Sequence, residues 1–338
     1  MVFQSLKQGF SKVNTTKRMV FFAWVINVAM ALVLALPLLG QLNAYIRETL
    51  REDELLREFN RNWANWYQTW QIDMQASEIT RYVDYSILGY APFLNHTEAV
   101  LGGTVVKAVG NFFYALIVQF SLTTPDLLVG LTVLYVLIST FLAGAFIGTY
   151  AKEYRLSFTE FLMEGAKHFG RLFRLSLLSL IIYYLLFLWL FDWAGNRIPV
   201  WTANSPSEMI PFIFYLVKNV LVLFLLSVVT LCFDYAKIRI VVEDRISALI
   251  ALVAGSRFAL KNFRRTYALY LVLTLVGLVL IVVYAFLQTQ LAQETYVSIL
   301  LAFALGQLYL MTRMWLKASF YASQTSLYQQ LERQTPTL

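Results

Sequence analysis

Six long apolar runs alternate with short charged segments along the chain. A helix that spans a bilayer needs about 20 consecutive, mostly apolar residues, and each run comes close to that length. Buried helices of a soluble protein rarely stay apolar on every face for so long. The pattern therefore predicts an all-α, polytopic membrane protein with six transmembrane helices, at approximately 19–39, 127–150, 175–193, 211–233, 267–287 and 297–315.

The order of segments repeats three times. In each unit a basic amphipathic stretch leads into an apolar run, an outer loop and a second apolar run. Tyr150-Ala151-Lys152 at the end of one run recurs as Tyr235-Ala236-Lys237, with Trp315-Leu316-Lys317 as a looser third copy. The alternative is that any basic and apolar membrane sequence shows such echoes. We expect three helical-hairpin repeats in one membrane domain, at 1–150, 151–236 and 237–338, the last with a short tail.

The amphipathic stretches predict helices that lie in the plane of the membrane surface. Ser157 and Glu160 have the spacing of a capping box, which opens a helix. Glu243 and Asp244 precede the third stretch, where negative charge favours a helix N-terminus. Its apolar side is predicted to carry Ile246, Leu249, Ile250, Val253 and Phe258, and its basic residues, placed to reach lipid headgroups, are Arg245, Arg257 and Lys261.

Charge gives the orientation. With the N-terminus inside, the inner segments hold 19 of the 27 Lys and Arg residues, and the positive-inside rule favours this arrangement. Hydrophobic residues make up 59% of the chain and charged residues 14%, so the net charge of +7 reflects membrane orientation. Because the basic residues are scattered over four short segments, we expect contact with anionic lipid headgroups and no nucleic-acid binding. The first run is interpreted as a retained anchor and not as a cleaved signal peptide.

The first repeat contains a large outer insert at 40–126, whereas the other outer loops are short. One interpretation of its aromatic residues is an interfacial belt with a small core. The sharper interpretation is a docking surface for a partner protein. The segment 104–122 is apolar, but a seventh crossing there would reverse the charge rule, so we expect it to lie on the outer surface or to re-enter partway. The candidate partner-binding residues of the insert are Trp63, Trp66, Tyr67, Trp70, Tyr82 and Tyr85.

Polar residues inside the predicted spans are few. Asn27 and Gln307 are interpreted as interhelical hydrogen-bonding groups, and Arg313 can reach the inner interface. The chain has one cysteine, and its two histidines lie on opposite sides of the membrane, so we expect no cofactor and no metal site. We also expect no enzyme, because no catalytic motif is recognisable.

The richest charged cluster follows the fourth run. Its charges alternate in sign, which indicates an ion-pair network that fastens the following helix to the spans. The alternative is a functional latch for a cytoplasmic or membrane partner. This predicted latch comprises Asp234, Lys237, Arg239, Glu243, Asp244 and Arg245.

The stretch 234–245, followed by Asn262-Phe263-Arg264-Arg265 and by Phe320-Tyr321-Ala322-Ser323-Gln324, resembles a broad bacterial group of six-span integral membrane proteins. That group is distantly similar to the membrane domain attached to some glycerophosphodiester phosphodiesterases. The resemblance covers mainly 230–325. It implies a helical-hairpin fold in the bacterial cytoplasmic membrane and no activity, since the 338 residues contain no counterpart of the phosphodiesterase domain.

These observations predict a non-enzymatic scaffold or accessory subunit of a membrane complex, with protein partners in addition to the bilayer. The alternative is a transporter or lipid-handling protein. Both termini are expected in the cytoplasm, and the insert 40–126 is expected on the periplasmic or extracellular side.

Overall fold

The computed structural model describes residues 1–32, 126–152, 154–186, 193–205, 207, 209–244, 247–291 and 296–334. Within these ranges the regular structure is entirely helical. In chain order the helices are α1 (Val2–Thr15), α2 (17–32), α3 (Asp126–Ala151), α4 (Phe158–Leu186), α5 (Trp193–Trp201), α6 (Met209–Val242), α7 (Ala248–Lys261), α8 (Phe263–Thr289) and α9 (Tyr296–Glu332).

Five of the described helices are long and apolar enough to cross a membrane. The apolar lengths are Val133–Ala151 in α3, all of α4, α6 and α8, and Val297–Glu332 in α9. The prediction of long apolar helices is thus confirmed for five of the six runs. The first run is described only as far as residue 32, where it is helical, and the rest of it lies outside the described residues, as does the insert apart from residue 126.

The helix ends show that two of the three amphipathic stretches form separate helices and that one does not. Thr16 separates α1 from α2, and Asn262 separates α7 from α8, so these two stretches are helices of their own. The second stretch is different, because α4 runs without a break from Phe158 to Leu186. The predicted boundary between an amphipathic helix and a span near residue 174 is therefore wrong. Amphipathicity changes along this helix, but no capping residue interrupts its hydrogen bonds.

The capping box at the start of α4 is confirmed. The backbone N–H of Glu160 donates to Ser157 Oγ at 3.3 Å, and the backbone N–H of Ser157 donates to Glu160 Oε2 at 2.7 Å. These reciprocal bonds satisfy donors that every helix N-terminus leaves without an intrahelical partner. The N-cap of α7 is Ser247, whose side chain accepts from the N–H of Ile250, so the carboxylates of Glu243 and Asp244 do not cap that helix.

Contacts divide the chain into two units. The first comprises Met1–Ala23, Val136–Tyr284 and Leu308–Leu338, and the second comprises Trp24–Tyr135 and Ala285–Gln307. The core of the first unit includes large side chains with no more than 2% exposure, among them Tyr150, Phe161, Leu231, Tyr235 and Tyr328. Every charged cluster described below belongs to this first unit.

Helix α7 packs against α6 through small residues. Its buried positions are Ala248, Ala251, Gly255 and Ala259. A Cβ atom added at Gly255 would lie 2.6 Å from the backbone Cα and N of Ala236 on α6. The two helix backbones are therefore in contact at this point, a packing mode that small residues permit in apolar environments.

Candidate functional site

The last turns of α6 hold a buried ion pair. Lys237 Nζ donates to Asp234 Oδ1 at 3.1 Å, and the amide of Gln324 on α9 donates to Asp234 Oδ2 at 3.3 Å. The Asp234 side chain is 11% exposed and that of Lys237 is 25% exposed, whereas Gln324 is fully buried. We call Asp234, Lys237 and Gln324 the buried cluster. It ties α6 to α9 and gives the buried carboxylate both an opposite charge and a hydrogen-bond donor, as a buried charge requires.

One turn further along α6, a second set of polar contacts joins three helices. Arg239 Nε donates to Glu243 Oε1 at 2.6 Å, and Arg239 Nη1 donates to the backbone carbonyl of Ala254 on α7 at 3.0 Å. The hydroxyl of Tyr328 on α9 also donates to Glu243 Oε1. Charge-assisted bonds of this kind are the stronger class of hydrogen bond. Arg239 and Glu243 thus link α6 to both α7 and α9.

The segment between α6 and α7 carries an exposed ion-pair group. The guanidinium of Arg171 on α4 donates to Asp244 Oδ1, and Lys167 Nζ lies 3.5 Å from Asp244 Oδ2. The hydrogen bond from Arg171 holds the pKa of Asp244 below its ordinary value. The Asp244 side chain is 53% exposed, and its φ angle of 52° lies in the left-handed region, which Asp and Asn tolerate best after Gly. We call Lys167, Arg171 and Asp244 the exposed cluster.

His168 lies beside the exposed cluster but is itself buried. Its Nε2 is 3.4 Å from Glu164 Oε2, and its Nδ1 is 3.9 Å from Asp244 Oδ1, too long for a hydrogen bond. Glu164 also accepts from Lys152 Nζ at 2.7 Å, and this bond raises the pKa of Lys152. Glu164 therefore joins the segment after α3 to the interior of α4.

The C-terminus of α3 is satisfied by side chains from two other helices. Lys12 Nζ on α1 donates to the carbonyl of Tyr150 at 2.6 Å, and the amide of Gln329 on α9 donates to the carbonyl of Ala151 at 2.7 Å. The last carbonyls of a helix have no intrahelical partner, and a cation is favourable there. The Tyr-Ala-Lys sequence at 150–152 thus ends a helix whose carbonyls are bound by distant residues.

Buried polar atoms without a described hydrogen-bond partner concentrate on one stretch of α9. Four consecutive residues there are at most 3% exposed, and each has such an atom. Tyr235 Oη on α6 is a further example. The atoms on α9 are Ser323 Oγ, Gln324 Oε1, Thr325 Oγ1 and Ser326 Oγ.

The structure places five of the six predicted latch residues in three separate sets of contacts, Asp234 with Lys237, Arg239 with Glu243, and Asp244 with residues of α4. Arg245 lies outside the described residues. So do the aromatic candidates of the insert, Trp63, Trp66, Tyr67, Trp70, Tyr82 and Tyr85, and the segment 104–122. Asn27 is 7% exposed, and Arg313 lies on α9 with its guanidinium carbon 5.8 Å from the centre of the Tyr309 ring.

Sequence reasoning missed the residues that α4 and α9 contribute to the latch. These are Lys167, Arg171, Gln324 and Tyr328, which lie 73 to 90 positions from their partners. One signal was present, because polar residues at 323–326 continue an otherwise apolar helix beyond the length that a bilayer needs. The signal does not identify the partners, however, since spacing says nothing about contacts between helices.

The described residues contain no group of three or more His, Cys, Asp or Glu side chains arranged to hold a metal ion. Their charged groups instead make ion pairs and hydrogen bonds between helices. Comparisons with protein-family models, with curated proteins and with solved structures gave no match.

Proposed function

We propose that this chain is a non-enzymatic membrane scaffold or accessory subunit, built as six spans in three helical hairpins. The observation that carries the proposal is the role of the predicted latch. Its charged side chains bind one another and residues of α4, α7 and α9, so they support a defined surface at the C-terminal ends of α6 and α9 and beside the first half of α4. A surface held in this way presents a constant shape to a partner, which favours binding by lowering the ordering cost.

The orientation belongs to the same proposal. The basic residues near the latch lie on the cytoplasmic side, and the insert 40–126 lies on the opposite side with its aromatic docking surface. Single cysteines at Ser77 and Arg264, placed in a Cys232→Ser background, test this with a membrane-impermeant thiol reagent. We expect labelling from opposite sides of the membrane. Labelling of both positions from one side contradicts the topology.

Co-purification from mild detergent tests the scaffold role. We expect a partner in stoichiometric amount, and we expect Trp66→Ala with Trp70→Ala in the insert to release it. The matched control is Trp193→Ala with Trp201→Ala, which removes two exposed tryptophans from α5. Recovery of the wild type as a pure monomer contradicts the scaffold role, and equal loss of the partner in both double variants contradicts its assignment to the insert.

A second candidate function, passage of a polar solute or headgroup, is favoured by one observation. Asn27 Nδ2 and Gln307 Oε1 are buried without a hydrogen-bond partner among the described residues. A polar ligand or water would satisfy such atoms. Asn27→Cys in the Cys232→Ser background should react with an impermeant thiol reagent if a water-filled path reaches it. The absence of any reaction contradicts this second function.

A further inference from the structure

Helix α7 presents four of its large apolar side chains outward, whereas Leu252 and Phe258 pack against the core. Its buried face consists of alanines and a glycine, as described above, whereas Leu249, Ile250, Val253 and Leu260 are between 55% and 69% exposed. A helix on a water-exposed surface normally buries its large apolar residues and exposes polar ones. This arrangement indicates that an apolar environment or an apolar ligand covers the outward face.

Basic residues share this outward face. Arg257 and Lys261 are exposed, and neither takes part in an ion pair among the described residues. At about 100° per residue, these two and the four exposed apolar residues fall within about 120° of the helix circumference. The apolar residues begin in the first turns of α7, and the basic residues lie in its second half. The face therefore combines an apolar area with an adjacent positive one.

An open groove of about 710 Å³ follows the same face. Leu249, Ile250 and Val253 line one part of it, and Arg257 and Lys261 line another. Arg239 also contributes, and its guanidinium is held in place by Glu243 and by the carbonyl of Ala254. Among the described residues, no acidic side chain lines the groove.

The position of α7 in the chain places this face at a membrane surface. Only Asn262 separates α7 from α8, an apolar helix long enough to span a bilayer that begins at Phe263. Arg264 and Arg265 in its first turn are exposed. The end of α7 that carries Arg257 and Lys261 therefore lies where α8 enters the membrane, at the level of the headgroups.

We propose that the outward face of α7 binds an anionic phospholipid, whose phosphate contacts Arg257 and Lys261 and whose acyl chains lie along Leu249, Ile250 and Val253. Charge complementarity selects the headgroup, and the exposed apolar area selects a lipid over a free phosphate. The inference rests on the proposed membrane location but not on the scaffold role, so the two fail independently.

Lipid titration of the purified full-length chain in mild detergent tests the inference, with native mass spectrometry counting the bound lipids. The probes are dioleoyl phosphatidylglycerol, dioleoyl phosphatidylcholine with the same chains, and glycerol phosphate without chains. A basic residue near an anionic surface contributes about 1 kcal/mol, so we expect the wild type to prefer phosphatidylglycerol about 10- to 30-fold. Glycerol phosphate should bind far more weakly than either lipid.

The variants locate the binding. Arg257→Gln with Lys261→Gln should abolish the preference for phosphatidylglycerol, whereas Lys17→Gln with Arg18→Gln removes the same charge from another exposed site and should retain it. Leu249→Ser with Val253→Ser should lower the affinity for both phosphatidylglycerol and phosphatidylcholine. Thermal unfolding without lipid checks that each variant is folded. Equal affinity of the wild type for the two lipids, equal loss in both charge variants, or equally tight binding of glycerol phosphate overturns the proposal.

Discussion

Two aspartates ten residues apart in the chain, Asp234 and Asp244, both form ion pairs, but one pair is buried and the other is exposed. Asp234 in the buried cluster is almost removed from solvent and has Lys237 and Gln324 as partners, whereas Asp244 in the exposed cluster is half-exposed beside Arg171 and Lys167. Breaking a buried pair leaves a charge without compensation, but an exposed pair is replaced by water. Similar residue types therefore contribute very differently to stability, and burial decides which contribution is large.

The largest expected effect is that of removing the cation from the buried cluster. Lys237→Met leaves the Asp234 carboxylate with Gln324 alone, and we expect a loss of about 3 kcal/mol in the free energy of unfolding. Thermal unfolding in detergent measures it. The double variant Asp234→Asn with Lys237→Met removes both charges and keeps an acceptor for Gln324, so it should recover most of the loss. A double variant as unstable as the single one contradicts the comparison.

The next effect tests the close packing of α7 against α6. Gly255→Ala places a methyl group 2.6 Å from the backbone of Ala236, and we expect a loss of about 1–3 kcal/mol from overpacking. Gly170→Ala is the matched control, because no atom lies within 4 Å of an added Cβ there. The control should gain about 0.5–1 kcal/mol, since alanine is the better helix former. If thermal unfolding shows that both variants change the free energy of unfolding in the same direction, the close contact at Gly255 is contradicted.

An effect of intermediate size is expected for the contact of Tyr328 with Glu243. Tyr328→Phe removes a donor to a partly exposed carboxylate, and we expect a loss of about 1.5 kcal/mol in the free energy of unfolding. Tyr267→Phe is a neutral counterpart, since that hydroxyl lies 3.1 Å from Ser227 Oγ, and we expect about 0.5–1 kcal/mol. Equal losses would show that the charge of Glu243 adds nothing to the bond.

The smallest effect belongs to the exposed cluster. Asp244→Asn keeps a residue that tolerates the left-handed backbone and removes the charge, and at pH 7 we expect a loss of about 0.5 kcal/mol. Because Arg171 lowers the pKa of Asp244 in the folded chain, this stabilisation is present above the ordinary carboxyl pKa of 3.8 and is lost as the pH falls through the lowered value. Unfolding midpoints at pH 7 and at strongly acidic pH measure the change. High salt should also reduce the stability difference between the wild type and Asp244→Asn. A stability difference that persists both at strongly acidic pH and in high salt contradicts an exposed ion pair.

Local signals explain which parts of the fold were predictable. Five apolar runs coincide with long apolar helices, and the Ser157–Glu160 capping box forms as its spacing predicts. Both features depend on residues within one or two helical turns. The predicted break within α4 was wrong because a change in amphipathicity does not end a helix unless capping or backbone restriction does. The repeats, the sixth span and the resemblance to bacterial six-span proteins stay predictions.

The candidate site was predictable only in part. Alternating charges at 234–245 indicated ion pairs, and Asp234–Lys237 and Arg239–Glu243 do pair within one turn of α6. The sequence did not reveal that Gln324 and Tyr328 complete these groups, because the rotation of α9 against α6 depends on packing along their whole length. For the same reason it did not separate a buried cluster from an exposed one.

By itself, the sequence determined the helical class, the apolar lengths and the local caps, because each follows from composition and spacing within a single helix. Only the tertiary structure decided which charges are buried and which of the predicted apolar residues of α7 face the core. Phe258 packs inward against Tyr235 and Tyr328, whereas Leu249, Ile250 and Val253 stay outside, because Gly255 and the neighbouring alanines let the backbones of α7 and α6 touch. Which side chains then remain outside depends on the neighbour across the interface, and no local pattern encodes that neighbour.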